Sequence, residues 1–394
     1  MLPLDERRIW FAGIGGAGLS SYAVLSRAWG AEVAGWDRAE TPYLAYVRAA
    51  GIAVTIAPDP PEAPEGFEVV VSTAFAGLVE GRSRAEFLAE LVSLRPSIVV
   101  AGAHGKTTTA AMVAFCLDRL GHDPAFLLGG EVPQLGGNAR SGEGWLVVEG
   151  DESDRTVAAL HPEIAVLTNV ELDHHATFAS SAELEELFQR WLEGVPHVVH
   201  GADLAPAHVA LAVPGEHNRR NAACALAALE LAGVPPSEAA RALAEFRGVR
   251  RRLELRGELD GAQVYDDYSH HPTEIAAALA ALRESAEGRL LVLFQPHLYS
   301  RTRHLARELA AVLAAADAAC VTEIYAAREE PVEGVSGKLV VDALAEVRPG
   351  MPIGWAPAVE DGVRFVRERA RSGDTVLAVG AGDVDRGASL LVEQ

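Results

Sequence analysis

Two glycine-rich segments have the composition of loops that bind phosphate groups. One of them, residues 102–109, reads GAHGKTTT and lies between an apolar strand-like run, residues 98–101, and a helical pattern. It is a shortened form of the GxxxxGK[ST] loop, in which backbone N–H groups and the helix N-terminus hold phosphate oxygens. We expect the Lys106 ammonium to bridge the β- and γ-phosphates of a nucleotide and the Thr107 hydroxyl to bind Mg²⁺. A strand–helix turn without a ligand is the alternative.

The other loop, residues 13–18, reads GIGGAG between a strand-like run and a helical pattern. Glycines at such a turn let the backbone approach a pyrophosphate closely. Taken alone, this loop predicts an NAD-binding Rossmann domain with Asp37 on the ribose, or a tight turn with no ligand. Hydride transfer does not need a second phosphate loop. The pair of loops therefore argues against a dehydrogenase. It favours a protein that consumes one nucleotide and uses another only for recognition of the substrate that carries it.

Acidic and imidazole side chains follow two further strand-like runs. Residues 145–148 end at Glu149 in the acidic run EGDESD, and residues 164–168 precede NVELDHH, which contains His174. The carboxyl ends of strands in open α/β sheets gather ligands, so Glu149 should lie beside the phosphate loop. Oxygen ligands suit Mg²⁺, and a neutral imidazole can join them. We predict a magnesium site of Thr107, Glu149 and His174, against the alternatives of a solvated acidic loop and a structural histidine.

The elements that must position these residues alternate between strand and helix along all 394 residues. This alternation predicts an α/β fold with mostly parallel sheets. Interruptions of the strand and helix patterns near Pro96 and Arg247 divide the chain into three domains, residues 1–96, 97–246 and 247–394. We expect a Rossmann-like N-terminal domain, a central ATP-binding domain of the P-loop type and a Rossmann-like C-terminal domain.

Composition narrows the classes of partner. The net charge of -21 disfavours nucleic acid, and no apolar window is long enough for a membrane span. Three cysteines without a CxxC pair argue against a disulfide framework and a structural zinc site, and they fit a cytoplasmic protein. We therefore expect small-molecule substrates and a monomer or homodimer.

Ten collinear motifs spread over all three predicted domains resemble those of the Mur ligases, and within that family the branch that adds alanine. The motifs are FAGIGGAGLS, AGAHGKTTT, VVEGDESD, TNVELDHH, PGEHNRRN, GVRRRLE, VYDDYSHHPTE, FQPHLYSRTR, YAAREEP and GAGD. The resemblance implies ATP- and Mg²⁺-dependent joining of L-alanine to the lactyl carboxylate of UDP-N-acetylmuramate through an acyl phosphate. It also implies that the first glycine loop holds a UDP pyrophosphate and that no NAD is bound.

The resemblance assigns residues to each substrate, and the predicted sets are as follows. ATP would be held by Gly102, His104, Gly105, Lys106, Thr107, Thr108, Asn218, Asn221, Arg252 and Asp267, with His217 near the adenine. The UDP-sugar would contact Gly13, Gly15, Gly16, Gly18, Asp37, Ser72 and His104. The amino acid would contact Tyr268, His270, His271 and Arg301. Catalysis would rest on Lys106, His174, Arg252 and Asp267.

Two of these motifs also allow a purely structural interpretation, and one interval is shorter than is typical of the family. The basic run at residues 250–252 could be a solvated turn, and HHP at residues 270–272 could be a helix entry. Only 39 residues separate His175 from Gly215, so the β-rich excursion typical of the central domain is expected to be largely missing. Other functions left open are a ligase for recycled tripeptide, a non-catalytic muramyl-nucleotide-binding protein and a dehydrogenase.

Overall fold

The computed structural model describes residues 2–172, 177–327 and 329–393. The chain divides into two compact units, of which the first comprises Met1–Ala210 and Arg220–Phe246 and the second Leu211–Arg219 and Arg247–Gln394. Three parallel-rich sheets flanked by helices confirm the predicted α/β class. Two of the three predicted domains fall in the first unit, so their boundaries stay a prediction.

The first unit opens with a five-stranded parallel sheet. Its strands are β1 (Arg8–Ala12), β2 (Glu32–Asp37), β3 (Ala53–Ile56), β4 (Glu68–Val71) and β5 (Arg82–Ser83), in the order β3-β2-β1-β4-β5. Its helices are α1 (Ala17–Ala28), α2 (Leu44–Ala49) and α3 (Arg84–Ser93). The central strand β1 leads into the first glycine loop, residues 13–18. This places the loop between the ends of β2 and β4, the two neighbours of β1.

A six-stranded sheet follows in the same unit. Its strands are β6 (Ser97–Ala101), β7 (Ala125–Val132), β8 (Gly137–Arg140), β9 (Leu146–Glu149), β10 (Ile164–Leu167) and β11 (His197–His200), in the order β11-β10-β6-β9-β7-β8. The accompanying helices are α4 (Lys106–Arg119), α5 (Ser181–Leu192), α6 (Glu216–Leu231, in this unit from residue 220 onward) and α7 (Pro236–Leu243). All pairs are parallel except the β7–β8 hairpin. Strand β6, which leads into the phosphate loop, therefore lies between β10 and β9.

The second unit contains the third sheet. Its strands are β12 (Glu254–Leu259), β13 (Ala262–Asp267), β14 (Leu290–Phe294), β15 (Ala318–Thr322), β16 (Ile353–Ala356) and β17 (Thr375–Val379), in the order β12-β13-β17-β14-β15-β16. Its helices are α8 (Pro272–Ser285), α9 (Tyr299–Leu313), α10 (Lys338–Val347), α11 (Val359–Arg369) and α12 (Asp385–Val392). Only β12 runs antiparallel, as an edge strand paired with β13.

Strand β14 shows how this sheet is covered. All five of its residues are buried. Leu290, Val292 and Phe294 pack into a hydrophobic core on one face. Leu291 and Leu293 pack into a separate core on the other. A continuous apolar run is the expected sequence of a strand buried on both faces of a parallel sheet.

The strand-like runs predicted at residues 98–101, 145–148 and 164–168 are observed as β6, β9 and β10, to within one residue at each end. None of the described helices is long and apolar enough to cross a membrane. Cys116, Cys224 and Cys320 are all buried thiols outside any disulfide. Burial raises the pKa of Cys116 and Cys320 to about 12 and that of Cys224 to about 11, so these thiols are unreactive.

Asp266, on β13, is a fully buried carboxylate beside two guanidinium groups. Its Oδ2 lies 3.2 Å from Arg256 Nη1 and 3.6 Å from Arg251 Nε. Burial raises the pKa of Asp266 to about 6, although the Arg251 charge opposes the rise. The folded state therefore binds this proton more tightly than the unfolded chain, in which the pKa of Asp is about 3.9.

We predict a pH-dependent effect of Asp266→Asn on stability. Because the folded protein binds more protons between about pH 4 and pH 6, this group makes the free energy of unfolding fall as the pH rises through that window. Asparagine removes the contribution, so the difference in unfolding free energy should shift in the variant's favour by up to about 3 kcal/mol across it. Denaturant unfolding at a series of pH values measures the shift. Asp260→Asn, in the exposed turn before β13, is the control, and parallel curves for Asp266→Asn and wild type would contradict the prediction.

Candidate active site

The phosphate loop, residues 102–109, holds a buried ammonium group. Lys106 Nζ donates to the carbonyl oxygen of Gly102 at 2.6 Å and to both carboxylate oxygens of Glu152 at 3.0 Å. Glu152 is 2% exposed and the Lys106 side chain 19%. Burial alone would lower the pKa of Lys106, but the Glu152 and Asp151 carboxylates outweigh it and raise the pKa above its ordinary value. The loop therefore carries a fixed positive charge at neutral pH.

The next residue of the loop connects it to strand β9. Thr107 Oγ1 donates to Glu149 Oε2 at 2.8 Å, and the other Glu149 oxygen accepts the Gly129 N–H. Glu149 ends β9, which pairs directly with β6. Two of the three predicted magnesium ligands thus lie within hydrogen-bonding distance of each other. The third, His174, lies outside the described residues.

Strand β10 braces the phosphate loop from the opposite side. The Asn169 side chain accepts the His104 N–H at 2.9 Å and donates to the His104 carbonyl at 2.8 Å. Thr168 Oγ1 donates to the same carbonyl at 2.7 Å. The His104 ring lies 2.9 Å from a carboxylate oxygen of Glu171. These contacts fix the backbone that leads into α4.

Two glycines make this packing possible. Gly102 and Gly105 both have positive φ, at 126° and 80°. A Cβ at Gly102 would overlap Thr168 Oγ1, and one at Gly105 would overlap Asn221 Oδ1. The predicted ATP residue Asn221 therefore contacts the loop. Thr108, also predicted to bind ATP, is buried in the first turn of α4.

The first glycine loop is braced by an acidic residue at the end of β2. Asp37 accepts the Gly15 N–H at 2.7 Å and the Arg38 N–H at 2.7 Å. Thr41 Oγ1 donates to the Gly15 carbonyl at 2.8 Å. Sequence reasoning placed Asp37 among ligand contacts, whereas here both of its oxygens hold the backbone around the loop. Its contact with the sugar nucleotide stays a prediction.

A hydroxyl group faces the same loop from β4. Ser72 Oγ is buried, has no hydrogen-bond partner among the described residues and lies where a Cβ at Gly13 would be. Gly13 has a φ of 89°, and Gly16, at the N-cap of α1, is exposed. A buried hydroxyl without a partner is costly unless a ligand or water satisfies it. This favours the predicted role of Ser72.

Arg84 connects the two loops within the first unit. Its guanidinium lies against Gly18 of the first glycine loop, at 3.2 Å from where a Cβ would be. Its Nη2 lies 4.0 Å from Asp151 Oδ2. Asp151 precedes Glu152, the partner of Lys106. Arg84 therefore lies between the first glycine loop and the acidic run, residues 149–154, and Lys106 of the phosphate loop contacts the same run through Glu152.

In the second unit, the basic run forms a tight turn against β13. Asp267 accepts the Leu253 N–H at 2.7 Å and the Ser269 N–H at 2.8 Å, and the Arg252 guanidinium lies 5.1 Å from the centre of the Tyr268 ring. Arg251 donates to the Gly380 carbonyl at 2.8 Å. The alternative of a wholly solvated basic turn is therefore wrong for Arg251.

Aromatic and imidazole rings line the beginning of α8 and α9. The His270 ring lies 5.7 Å from Tyr268 and 5.6 Å from His297. His297 stacks on Tyr325 at 5.9 Å and contacts Arg301 through a 3.0 Å nitrogen–nitrogen approach. Four rings and one buried guanidinium thus form a single cluster.

The remaining predicted residues of this unit lie at helix starts. His271 is the N-cap of α8 and Pro272 its first residue, so the helix-entry interpretation is confirmed. Asn218 Nδ2 donates to the Pro214 carbonyl at 2.7 Å. Burial lowers the pKa of His217, against the opposing charge of Asp267, which keeps this imidazole neutral at neutral pH.

Three family models match successive parts of the chain. The Mur ligase family catalytic domain matches residues 8–95, the Mur ligase middle domain residues 100–205 and the Mur ligase glutamate ligase domain residues 251–382. A UDP-N-acetylmuramate–L-alanine ligase of Rubrobacter xylanophilus is 40% identical, over 98% of this chain and 99% of its own. The chain belongs to the Mur ligase family. The enzyme of the same name from Streptomyces coelicolor is also 40% identical, over 100% of this chain and 98% of its own.

A solved Mur ligase structure supports the fold. The UDP-N-acetylmuramate-alanine ligase of Thermotoga maritima superimposes with a TM-score of 0.78 at 27% identity, over 98% of both chains. The Rubrobacter alignment runs over 443 positions, more than the 394 residues of this chain. The relative therefore carries several dozen residues that this Mur ligase lacks, which agrees with the expected number, and their position before Gly215 stays a prediction.

Sequence reasoning missed several residues that the structure brings to the site. Glu152, Asn169, His297 and Tyr325 all lie within motifs that were recognised, but none was selected. Asn169 could have been found, because it directly follows a strand beside the phosphate loop. The pairing of Glu152 with Lys106 could not have been found, because nothing in the local sequence distinguishes Glu152 from the other acidic or hydroxyl side chains among the four at residues 151–154.

We predict that Glu152→Gln destabilises the empty protein and increases its stabilisation by ATP. The variant leaves Lys106 buried without its anionic partner, which costs about 3 kcal/mol in comparable buried pairs. Bound phosphates would restore the counter-charge, so the thermal shift on adding magnesium and a non-hydrolysable ATP analogue should exceed that of wild type. Glu163→Gln, an exposed position in the same unit, is the control. Equal shifts in wild type and Glu152→Gln would refute the idea.

Proposed function

We propose that this chain joins L-alanine to the lactyl carboxylate of UDP-N-acetylmuramate with the cleavage of ATP. The observation that carries the proposal is the pair of glycine-rich loops in the first unit, which lie near one acidic run through Arg84 and Lys106. Full-length similarity to enzymes named for this reaction supports the assignment. A dehydrogenase needs no Lys106 loop, and a protein that only binds the nucleotide needs no buried ammonium beside it.

The first step is phosphoryl transfer to the substrate carboxylate. A lactyl oxygen attacks the γ-phosphorus, and the bond between that phosphorus and the bridging β-phosphate oxygen breaks. ADP is released and the substrate carboxylate becomes an acyl phosphate. Catalysis of this type depends on positioning and on charge placed near the transferring group. Lys106 supplies that charge from the phosphate loop, and we assign Arg252 the same role from the second unit.

Amide formation is the second step. The neutral amine of alanine attacks the acyl carbonyl, phosphate departs with the electron pair of the broken C–O bond, and the departing phosphate takes up the proton that the nitrogen loses. We assign amino-acid binding to the ring cluster, with Arg301 for the carboxylate and Tyr268, His270 and His271 around the rest of the molecule. The guanidinium of Arg301 is 6% exposed beside His297, a setting in which an ion pair with a carboxylate is strengthened by burial.

Mg²⁺ fits the donors at the carboxyl ends of β6 and β9. Thr107 and Glu149 supply hard oxygen ligands, already 2.8 Å apart, and His174 would complete the predicted set. Bound there, the ion would offset phosphate charge. Small-molecule substrates and the three buried thiols are compatible with cytoplasmic action. Whether the protein is a monomer or a homodimer stays a prediction.

We expect phosphate release only when UDP-N-acetylmuramate, ATP, Mg²⁺ and L-alanine are all present. The assay supplies each amino acid singly and a free tripeptide in place of alanine. Stimulation by the tripeptide alone would replace the proposed substrate with the recycling one. A change in nicotinamide absorbance with hydroxy acids, without phosphate release, would overturn the ligase assignment.

Lys106→Ala should abolish turnover and leave binding of UDP-N-acetylmuramate nearly unchanged. The variant removes the charge that stabilises the transferring phosphoryl group, while the first glycine loop keeps its own contacts. A phosphate-release assay and calorimetric titration of the sugar nucleotide measure the two effects separately. Lys338→Ala, on α10 of the second unit, controls for loss of a lysine elsewhere. Normal turnover by Lys106→Ala would contradict the scheme.

A further inference from the structure

The side chain of Arg84 occupies the space beside the first turn of α1. Arg84 begins α3, and its Nη1 lies 3.2 Å from where a Cβ at Gly18 would be. A side chain at position 18 would therefore displace the guanidinium. The glycine at this point of the loop admits an arginine as well as allowing a close backbone approach.

This guanidinium is poorly satisfied by the protein. Arginine has five N–H donors, and Arg84 Nε is buried with no hydrogen-bond partner among the described residues. It interacts with the Tyr22 hydroxyl and with the charges of the Asp154 and Asp151 carboxylates, and Asp151 lies 4.0 Å away, which is beyond a hydrogen bond. The N–H groups of Arg84 can therefore donate further hydrogen bonds to an anion.

Arg82, two residues earlier, shows what a satisfied arginine looks like in the same segment. Its Nη1 donates to Glu90 Oε2 at 2.7 Å and its Nη2 to the Glu86 carbonyl at 3.3 Å. The two arginines are close together in the sequence but differ in the hydrogen-bond acceptors that surround them. Arg82 has a structural partner, whereas Arg84 faces the glycine loop.

The ligand expected at this loop is anionic. The N-terminus of α1 carries a partial positive charge, and the N–H groups in the first turn of an α-helix have no acceptor within the helix, which together suit one phosphate group. A diphosphate has two, and a protein of net charge -21 must supply the second counter-charge locally. A guanidinium can bind phosphate oxygens through two parallel hydrogen bonds.

We propose that Arg84 binds the diphosphate of the sugar nucleotide beside the N-terminus of α1. Asp151 and Tyr22 hold the guanidinium at that place when the substrate is absent. The inference rests on the proposed function, because that function supplies the diphosphate. It adds a specificity-determining residue that the sequence motifs do not mark.

The test is calorimetric titration of full-length Arg84→Gln with UDP-N-acetylmuramate, with UDP and with uridine. Loss of a charged contact should raise the Kd for the first two by roughly 10- to 100-fold and leave uridine binding unchanged. Arg84→Lys should fall between the variant and wild type, because it keeps the charge without the two-pronged geometry. The KM for ATP should change by less than about twofold. Arg82→Gln is the matched control and should bind all three ligands as wild type does.

Asp151→Asn distinguishes binding from a structural role. If Arg84 binds the diphosphate directly, this variant keeps the affinity or improves it, because a competitor for the guanidinium is gone. Weakening equal to that of Arg84→Gln would show that the ion pair merely supports the fold and would overturn the proposal. So would unchanged UDP affinity in Arg84→Gln. Wild-type protein that binds UDP but not UDP-N-acetylmuramate would refute the proposed function while leaving the role of Arg84 intact.

Discussion

The buried ammonium of Lys106 is the charge around which the site of the first unit is organised. A lysine in this position cannot stay charged without acceptors, since burial disfavours the ion. Glu152 and the Gly102 carbonyl provide them. Under the proposed function the same ammonium faces phosphate oxygens, so a bound nucleotide would take the place of Glu152 as its partner. Residues at the ends of β9 and β10 hold the loop backbone independently of that contact.

Carboxylates at the ends of strands in all three sheets accept backbone N–H groups from neighbouring segments. Asp37 holds Gly15, Glu149 holds Gly129 on β7 and Asp267 holds Leu253, each through an N–H donor. A carboxylate near a phosphate site repels the ligand. The dipoles of the N–H donors offset part of that repulsion and at the same time orient the backbone. Acidic residues can therefore lie beside the proposed anion sites of this protein at a reduced electrostatic cost.

Sequence predicted the strand ends well because they depend on local signals. Glycine, lysine and threonine at fixed spacing between an apolar run and a helix specify the phosphate loop, and its neighbour Glu149 follows from the topology of parallel sheets. Contacts between distant segments were not predictable in the same way. The approach of Arg84 to Gly18, and of His297 to Tyr325, depends on how loops from separate strands meet. Periodicity within one segment carries no information on such meetings, so a motif could be recognised while its decisive residue was passed over.

The same reasoning explains how a shortened chain can retain the phosphate site. The contacts that hold residues 102–109 include those from Glu149, Glu152, the segment 168–171 and Asn221. Strand β11 still pairs with β10 in parallel, so the six-stranded sheet is complete. The several dozen residues that the Rubrobacter relative has in addition are thus not needed to form β6, β9 and β10 or to bring their carboxyl ends together. Glu149 and Glu152, which hold the Thr107 hydroxyl and the Lys106 ammonium, lie at and just after the carboxyl end of β9, so these contacts form wherever β6 and β9 pair.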